Sequence, residues 1–233
     1  PSNWTLDNFR TALDVPTVDA IWNSVQLAAL AAVTLTALGA LLAAAERRRA
    51  GRAVGTLAIL TFAIPGSALA VVLLIAYGRW LDGGLTLIFV AYLAKFWALA
   101  HRTLSGAVDR LPPAELQAAR ASGARPTFAV ATIWLPSLAP ALLAAAVLVF
   151  VSALHEVTMS SLLYSFDNQT VAVAVLNRQE LGEVGPTAAL SVFLTAMLLV
   201  VALPGWLALR RMQSRLNDRT ARVRSAPEVA GAR

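Results

Sequence analysis

Five stretches of nearly unbroken apolar sequence divide the chain. They run from near Ile21 to Ala45, Val54 to Tyr77, Gly84 to Ala100, Leu138 to His155 and Thr187 to Leu209. A helix that crosses a bilayer needs about 20 mostly apolar residues, so each stretch is read as a span. The third is the weakest, because it carries Lys95, the single lysine of the sequence. The pattern predicts an all-α polytopic membrane protein. It divides into an outer N-terminal segment over 1–20, a membrane domain over 21–209 and a basic tail over 210–233.

Composition agrees with this. Hydrophobic residues make up 58% of the chain and charged residues 14%, against about 25% charged in an average soluble domain. Arginine settles the expected orientation. It concentrates in the first connection (Arg47, Arg48, Arg49, Arg52), in the third (Arg102, Arg110, Arg120, Arg125) and in the tail from Arg210 onward. Five spans put all three on one side, which the positive-inside rule makes cytoplasmic. The other side holds Arg10, Arg79 and Arg178 among acids such as Asp14, Asp82, Asp167 and Glu183. The chain's N-terminus is thus expected outside and its C-terminus inside. The tail arginines are read as fixing topology and meeting anionic lipid headgroups, so the net charge of +6 calls for no nucleic-acid partner.

The sequence offers little for catalysis. Lys95 lies in "YLAKFWAL", so the chain has no Walker A loop of its own. "HEVTM" at His155 has Met159 where a zincin needs its second histidine. There is no Gly-x-Ser-x-Gly elbow and no cysteine. No catalytic, cofactor or metal residue is assigned, and a membrane conduit or scaffold is expected rather than an enzyme. Asn3 and Asn168 match the glycosylation pattern, which is common by chance.

Four features within the apolar sequence stand out. Pro65-Gly66 interrupts the second stretch and is either a packing kink or a hinge lining a pathway. Lys95 is close enough to Ala100 to snorkel toward the arginine-rich side, or else faces inward. Glu156 is either solvated or faces a translocation path, where ionisable groups tend to be functional. Trp4, Trp22, Trp80 and Trp206 near span ends read as interface anchors.

The segment over 112–136 cannot be a span, because it carries Glu115, Arg120 and Arg125. Pro113 suits the first turn of a helix and Glu115 its positive end. "AELQAARAS" is good helix sequence, and Gly123 suits a left-handed stop. Pro126 opens a second short stretch that Leu135-Pro136 ends. By periodicity alone the segment is either an amphipathic surface helix or a docking element.

This segment resembles the EAA motif of ATP-binding-cassette importer permeases. Gln117-Ala118-Ala119, three residues, Gly123, nine residues and Ile133-Trp134-Leu135-Pro136 keep the motif's spacing. Gln117 replaces its acid, with Glu115 two positions earlier. "AIPGSALAVVLL" and "LHEVTMSSLLYSFDNQTVAVAV" resemble the ferric-iron-type subgroup, which often fuses two permease halves. The chain looks like the second half without its leading span. The resemblance implies a type I importer transmembrane domain with about five core spans. Its coupling helix would use Glu115, Gln117, Ala118, Ala119, Gly123, Ile133, Leu135 and Pro136 against an ATPase subunit. Pro65, Gly66 and Glu156 would serve as pathway or hinge residues. The implied partners are ABC ATPase subunits, a second permease half or subunit, and an extracytoplasmic substrate-binding protein, all at a bacterial inner membrane. The implied cargo is ferric iron first, with thiamine, polyamine or aminophosphonate as alternatives. A scaffold or passive channel without an ATPase is the alternative of another class.

Overall fold

The computed structural model describes residues 7–46, 51–81, 84–123, 125, 128, 130–165 and 168–225; side chains at 51–53, 113, 115, 116, 120 and 215–225 are outside that description. The described residues are helical, with no strand among them. A short helix α1 (Asp7–Ala12) leads into α2 (Val15–Glu46). Asp14 begins α2: its Oδ1 accepts the Thr17 N–H at 3.1 Å, an N-cap that satisfies one of the first free donors. The first span helix therefore starts six residues before Ile21 and takes in part of the expected outer segment.

The second apolar stretch is the main departure from expectation. It is not one helix but two, α3 (Gly51–Ala63) and α4 (Gly66–Tyr77), bent by 100° between 54–63 and 66–77. Pro65 has no N–H to give, and its ring disfavours the helical conformation at Ile64. Pro65 itself is extended, at φ −59° and ψ 141°. Each arm is too short for a hydrocarbon core of about 30 Å at 1.5 Å per residue, so only the pair together could cross.

The third span, α5 (Leu85–Val108), runs eight residues beyond Ala100. His101, which reads as the end of the stretch, is instead buried. After α6 (Pro113–Ala121), a π-helical turn over Val130–Trp134 passes directly into α7 (Leu135–Leu154). Leu135-Pro136 does not end a helix, and the fourth span runs from Val130 rather than Leu138. The π turn accommodates Pro136, whose ring would clash with the carbonyl four residues back in a regular helix. Two short helices, α8 (Ser160–Leu163) and α9 (Val171–Glu180), precede α10 (Val184–Ser225), which carries the fifth span and continues helically into the basic tail.

The core forms where α2, α5 and α7 pack on one another. Small residues let α2 come close: Ala20, Ala28, Ala31, Gly39 and Ala43 lie on its buried face. A β-carbon on Gly39 would stand 3.0 Å from the backbone of Ala100 and His101, so these helices meet almost backbone to backbone, as membrane helices with small interfacial residues do. Outward, Leu199, Val200 and Leu203 of α10 and Ile59, Val72 and Ile75 of the bent pair are exposed, as the surface of a lipid-embedded protein requires.

Chain direction follows from the contacts. The end of α2 lies beside the inner half of α5, with Glu46 Oε1 3.1 Å from His101 Nε2 and Ser105 donating to Glu46 Oε2 at 2.6 Å. Gly55 of α3 abuts the same carboxylate. At the other end, Ser24 accepts the Val171 N–H at 2.7 Å and Gly84 donates to the Leu163 carbonyl. Thus α2 and α5 run the same way, and the bent pair returns between them.

Candidate functional site

The bend and the turn after α7 come together. Pro65 leaves the Ile64 carbonyl without a helical partner, and the Lys95 ammonium of α5 donates to it. Lys95 is therefore not turned to the arginine-rich side; its ammonium donates to a backbone carbonyl at the bend, where Ile64 and Pro65 are exposed and Lys95 is half-buried. Across the bend, a β-carbon on Gly66 would lie 3.3 Å from Met159 Cγ and 3.6 Å from Glu156 Oε1. Pro65, Gly66 and Glu156, three separate sequence candidates, are thus neighbours.

Glu156 is half-buried. Its Oε2 accepts the N–H groups of Met159 at 2.8 Å and Ser160 at 3.1 Å. It caps the short helix α8, a placement that suits an anion. Burial pushes its carboxyl above the ordinary carboxylate range, with the backbone donors at Ser160, Met159 and Thr158 pulling the other way. Ser160 is fully buried and its Oγ stands 2.8 Å from the Tyr92 hydroxyl. Tyr92 and Lys95 are three residues apart, on one face of α5. One helix face therefore reaches the near side of the bend through Lys95 and, through Tyr92 and Ser160, the turn that meets its far side.

Tyr92 and Ser160 escape a reading of the sequence alone, and so does the partner of Lys95, which the sequence leaves either snorkelling or facing inward. A signal was available: a hydroxyl and an ammonium three residues apart in an apolar span share one face. Nothing in the pattern told which way that face pointed.

The second group of candidates lies at the arginine-rich end. Helix α6 ends at Ala121, and Gly123 follows at φ +77°, with open space where a β-carbon would be. The cost of a side chain there is conformational. Gln117 and Ala118 are exposed and Ala119 half-exposed; the Glu115 side chain lies outside the described residues. Ile133 is half-buried, while Leu135 and Pro136 are exposed.

Trp134, within the motif but not singled out from the sequence, is the anchor. It is buried among Ala43, Leu104, Val108, Leu111 and Leu138. It joins the exposed loop to α2, α5 and α7 at once. Helices α5 and α7 connect the loop and the bend, through Leu104 and Leu138 beside Trp134 at one end and Lys95 and Glu156 at the other. A third polar group lies at the opposite end, where Arg178 stands 2.8 Å from Asp14 and 3.0 Å from Glu183. Among the described residues, no three His, Asp or Glu side chains stand close enough to hold a metal ion.

The sequence over 35–220 matches the family described as "Binding-protein-dependent transport system inner membrane component". A stretch of 119 residues, half of this chain, is 30% identical to the Fe(3+)-transport system permease protein FbpB 2 of Haemophilus influenzae and covers 24% of that protein. The chain thus spans about a quarter of the length of that relative. The putative 2-aminoethylphosphonate transport system permease protein PhnV of Salmonella typhimurium is 24% identical over 225 residues, 94% of this chain and 83% of that one. The fold is similar to that of a bacterial ABC transporter involved in the import of the acidic polysaccharide alginate. The TM-score is 0.73 at 19% identity, covering 90% of this chain and 85% of that one. The MetNI methionine ABC transporter in inward-facing form gives 0.71 at 18% identity, with coverage of 84% and 95%.

Proposed function

The chain belongs to the inner membrane component family of binding-protein-dependent transport systems, and from that premise we propose that it forms one half of an importer's translocation path and is driven through the 112–136 loop by a separate ATPase subunit. In this reading α6 is the coupling helix. It docks on the ATPase through Gln117, Ala118 and Ala119, with Glu115 at its positive end; Gly123 ends it, and Ile133, Leu135 and Pro136 lead into the bundle. The arginine-rich side is cytoplasmic. A second permease half completes the path, and an extracytoplasmic binding protein delivers cargo to the opposite side. Pro65, Gly66 and Glu156 line or hinge the path.

The observation that carries the reading is the construction of the loop. A short helix with exposed alanines is attached to three spans through one buried tryptophan. An exposed small-residue surface admits another protein's backbone, and the Trp134 anchor gives displacement of the loop a route into the bundle.

The test is cargo-stimulated ATP hydrolysis in reconstituted complexes. Ala119→Trp should obstruct docking, and Gly123→Val should misdirect α6, because a β-branched residue is a poor occupant of positive φ. Both should abolish most of the stimulation at near-normal membrane abundance. Wild-type stimulation in both would favour a surface-lying helix, and no stimulation even in the wild type would favour a scaffold or passive channel with no ATPase.

Ferric iron is the first cargo in this reading, supported by the likeness to the iron permease over half the chain. A second reading, aminophosphonate, is favoured by the likeness to PhnV across most of both chains. Selection of cargo is assigned to the binding protein. Uptake of labelled ferric iron against 2-aminoethylphosphonate, with the ligand of the purified binding protein identified, separates the two.

A further inference from the structure

We propose that Lys95 is a positioning residue whose ammonium holds the second apolar segment in its bent form by occupying the Ile64 carbonyl. Three observations meet here. Pro65 breaks the helix and frees the Ile64 carbonyl midway along a segment whose two arms could cross a membrane only together. At the depth of a bilayer's hydrocarbon a carbonyl must find a partner, because water is not there to supply one. Lys95 is the one lysine of the sequence, and its Nζ is the donor at that carbonyl.

A lysine suits this place better than arginine. Its ammonium is compact and can approach a single oxygen, whereas a guanidinium fork is shaped for two acceptors. A proline alone kinks a helix modestly; a 100° bend leaves backbone groups that another element must satisfy. The hook also makes the bend depend on where α5 sits. About two and a half turns beyond Lys95, Leu104 packs with Trp134. A shift of α5 that follows Trp134 would carry the ammonium off the carbonyl and release the segment.

The experiment uses the full chain in lipid nanodiscs, with spin labels at Leu57→Cys and Ile75→Cys. Both sites are exposed and no native cysteine competes. An unbroken helix would separate the labelled positions by about 27 Å, and the bend makes that roughly 10 Å shorter. Lys95→Met should move most of the distance distribution toward the long value, whereas Lys95→Arg, which keeps a charged donor, should leave a majority short. If Lys95→Met does not accumulate in membranes, Lys95→Gln takes its place, and its shorter amide should give a mixed distribution. A wild-type distribution in the methionine variant, or in the glutamine variant that replaces it, overturns the proposal. The measurement needs neither ATPase nor cargo, so its outcome is independent of the transport reading.

Discussion

Glu156 shows how a single side chain couples structure to pH. Its carboxylate caps α8 yet is half-buried beside Gly66, and burial raises its proton affinity. A carboxyl with a raised folded-state pKa favours the fold most below its unfolded value of about 4.3. That contribution is lost as pH rises through the folded value. Glu156→Gln removes the titration. In thermal unfolding followed across pH, the variant should be flat where the wild type loses stability, and at neutral pH it should be at least as stable as the wild type. Transport should nevertheless fall if the carboxylate faces the path. A wild-type pH profile in the glutamine variant would assign the titration to another group.

At the scale of elements, the close approach of α2 and α5 governs the inner half of the bundle. A side chain at Gly39 would meet backbone, which cannot rotate away. Gly39→Val should therefore cost about 1–3 kcal/mol, read as an earlier midpoint in detergent-titrated unfolding. It should also separate Glu46 from His101. The element pattern was largely legible from sequence, because long apolar runs report burial in lipid whatever their partners. The breaks were less legible. Pro65-Gly66 and Leu135-Pro136 look alike in sequence, but one bends the chain by 100° and the other is absorbed by a π turn. The difference lies in what surrounds each proline: Lys95 takes the carbonyl exposed at the first, while the wider π turn just before the second makes room for its ring. Helices run past the apolar stretches at two polar residues. His101 is buried against Glu46, and Asp14 caps α2 rather than preceding it at a distance.

At the scale of the whole molecule, contacts place the end of α2, the inner end of α5 and the start of α7 on one side, with the starts of α5 and α10 on the other. The bent pair must then count as one crossing. Single cysteines at Ser122 and Ser214 should label from the cytoplasmic side alone, and cysteines at Asn168 and Glu180 from outside alone. External labelling at Ser122 would reverse the orientation that the arginines imply. The candidate site divided in the same way as the fold. Residues within the spaced motif are named by the pattern itself, because a motif fixes its own members. Tyr92 and Lys95 share a face by their spacing, but their grouping with Ser160 depended on α5 meeting α8 and had no local signature.

The continuity of the π turn with α7 fixes an angular relation. Trp134 and Glu156 are bound to the two ends of one helix, and each helical residue advances the azimuth by about 100°. With Trp134 seated among α2 and α5, the number of residues between them decides whether Glu156 faces Gly66 or faces away. One residue inserted in the middle of α7 would throw the two ends out of phase by more than a quarter turn. Four would nearly restore the phase while adding about 6 Å of length. The loop and the bend are thus tied by rotation as well as by reach, and the helix between them acts as a clocked shaft.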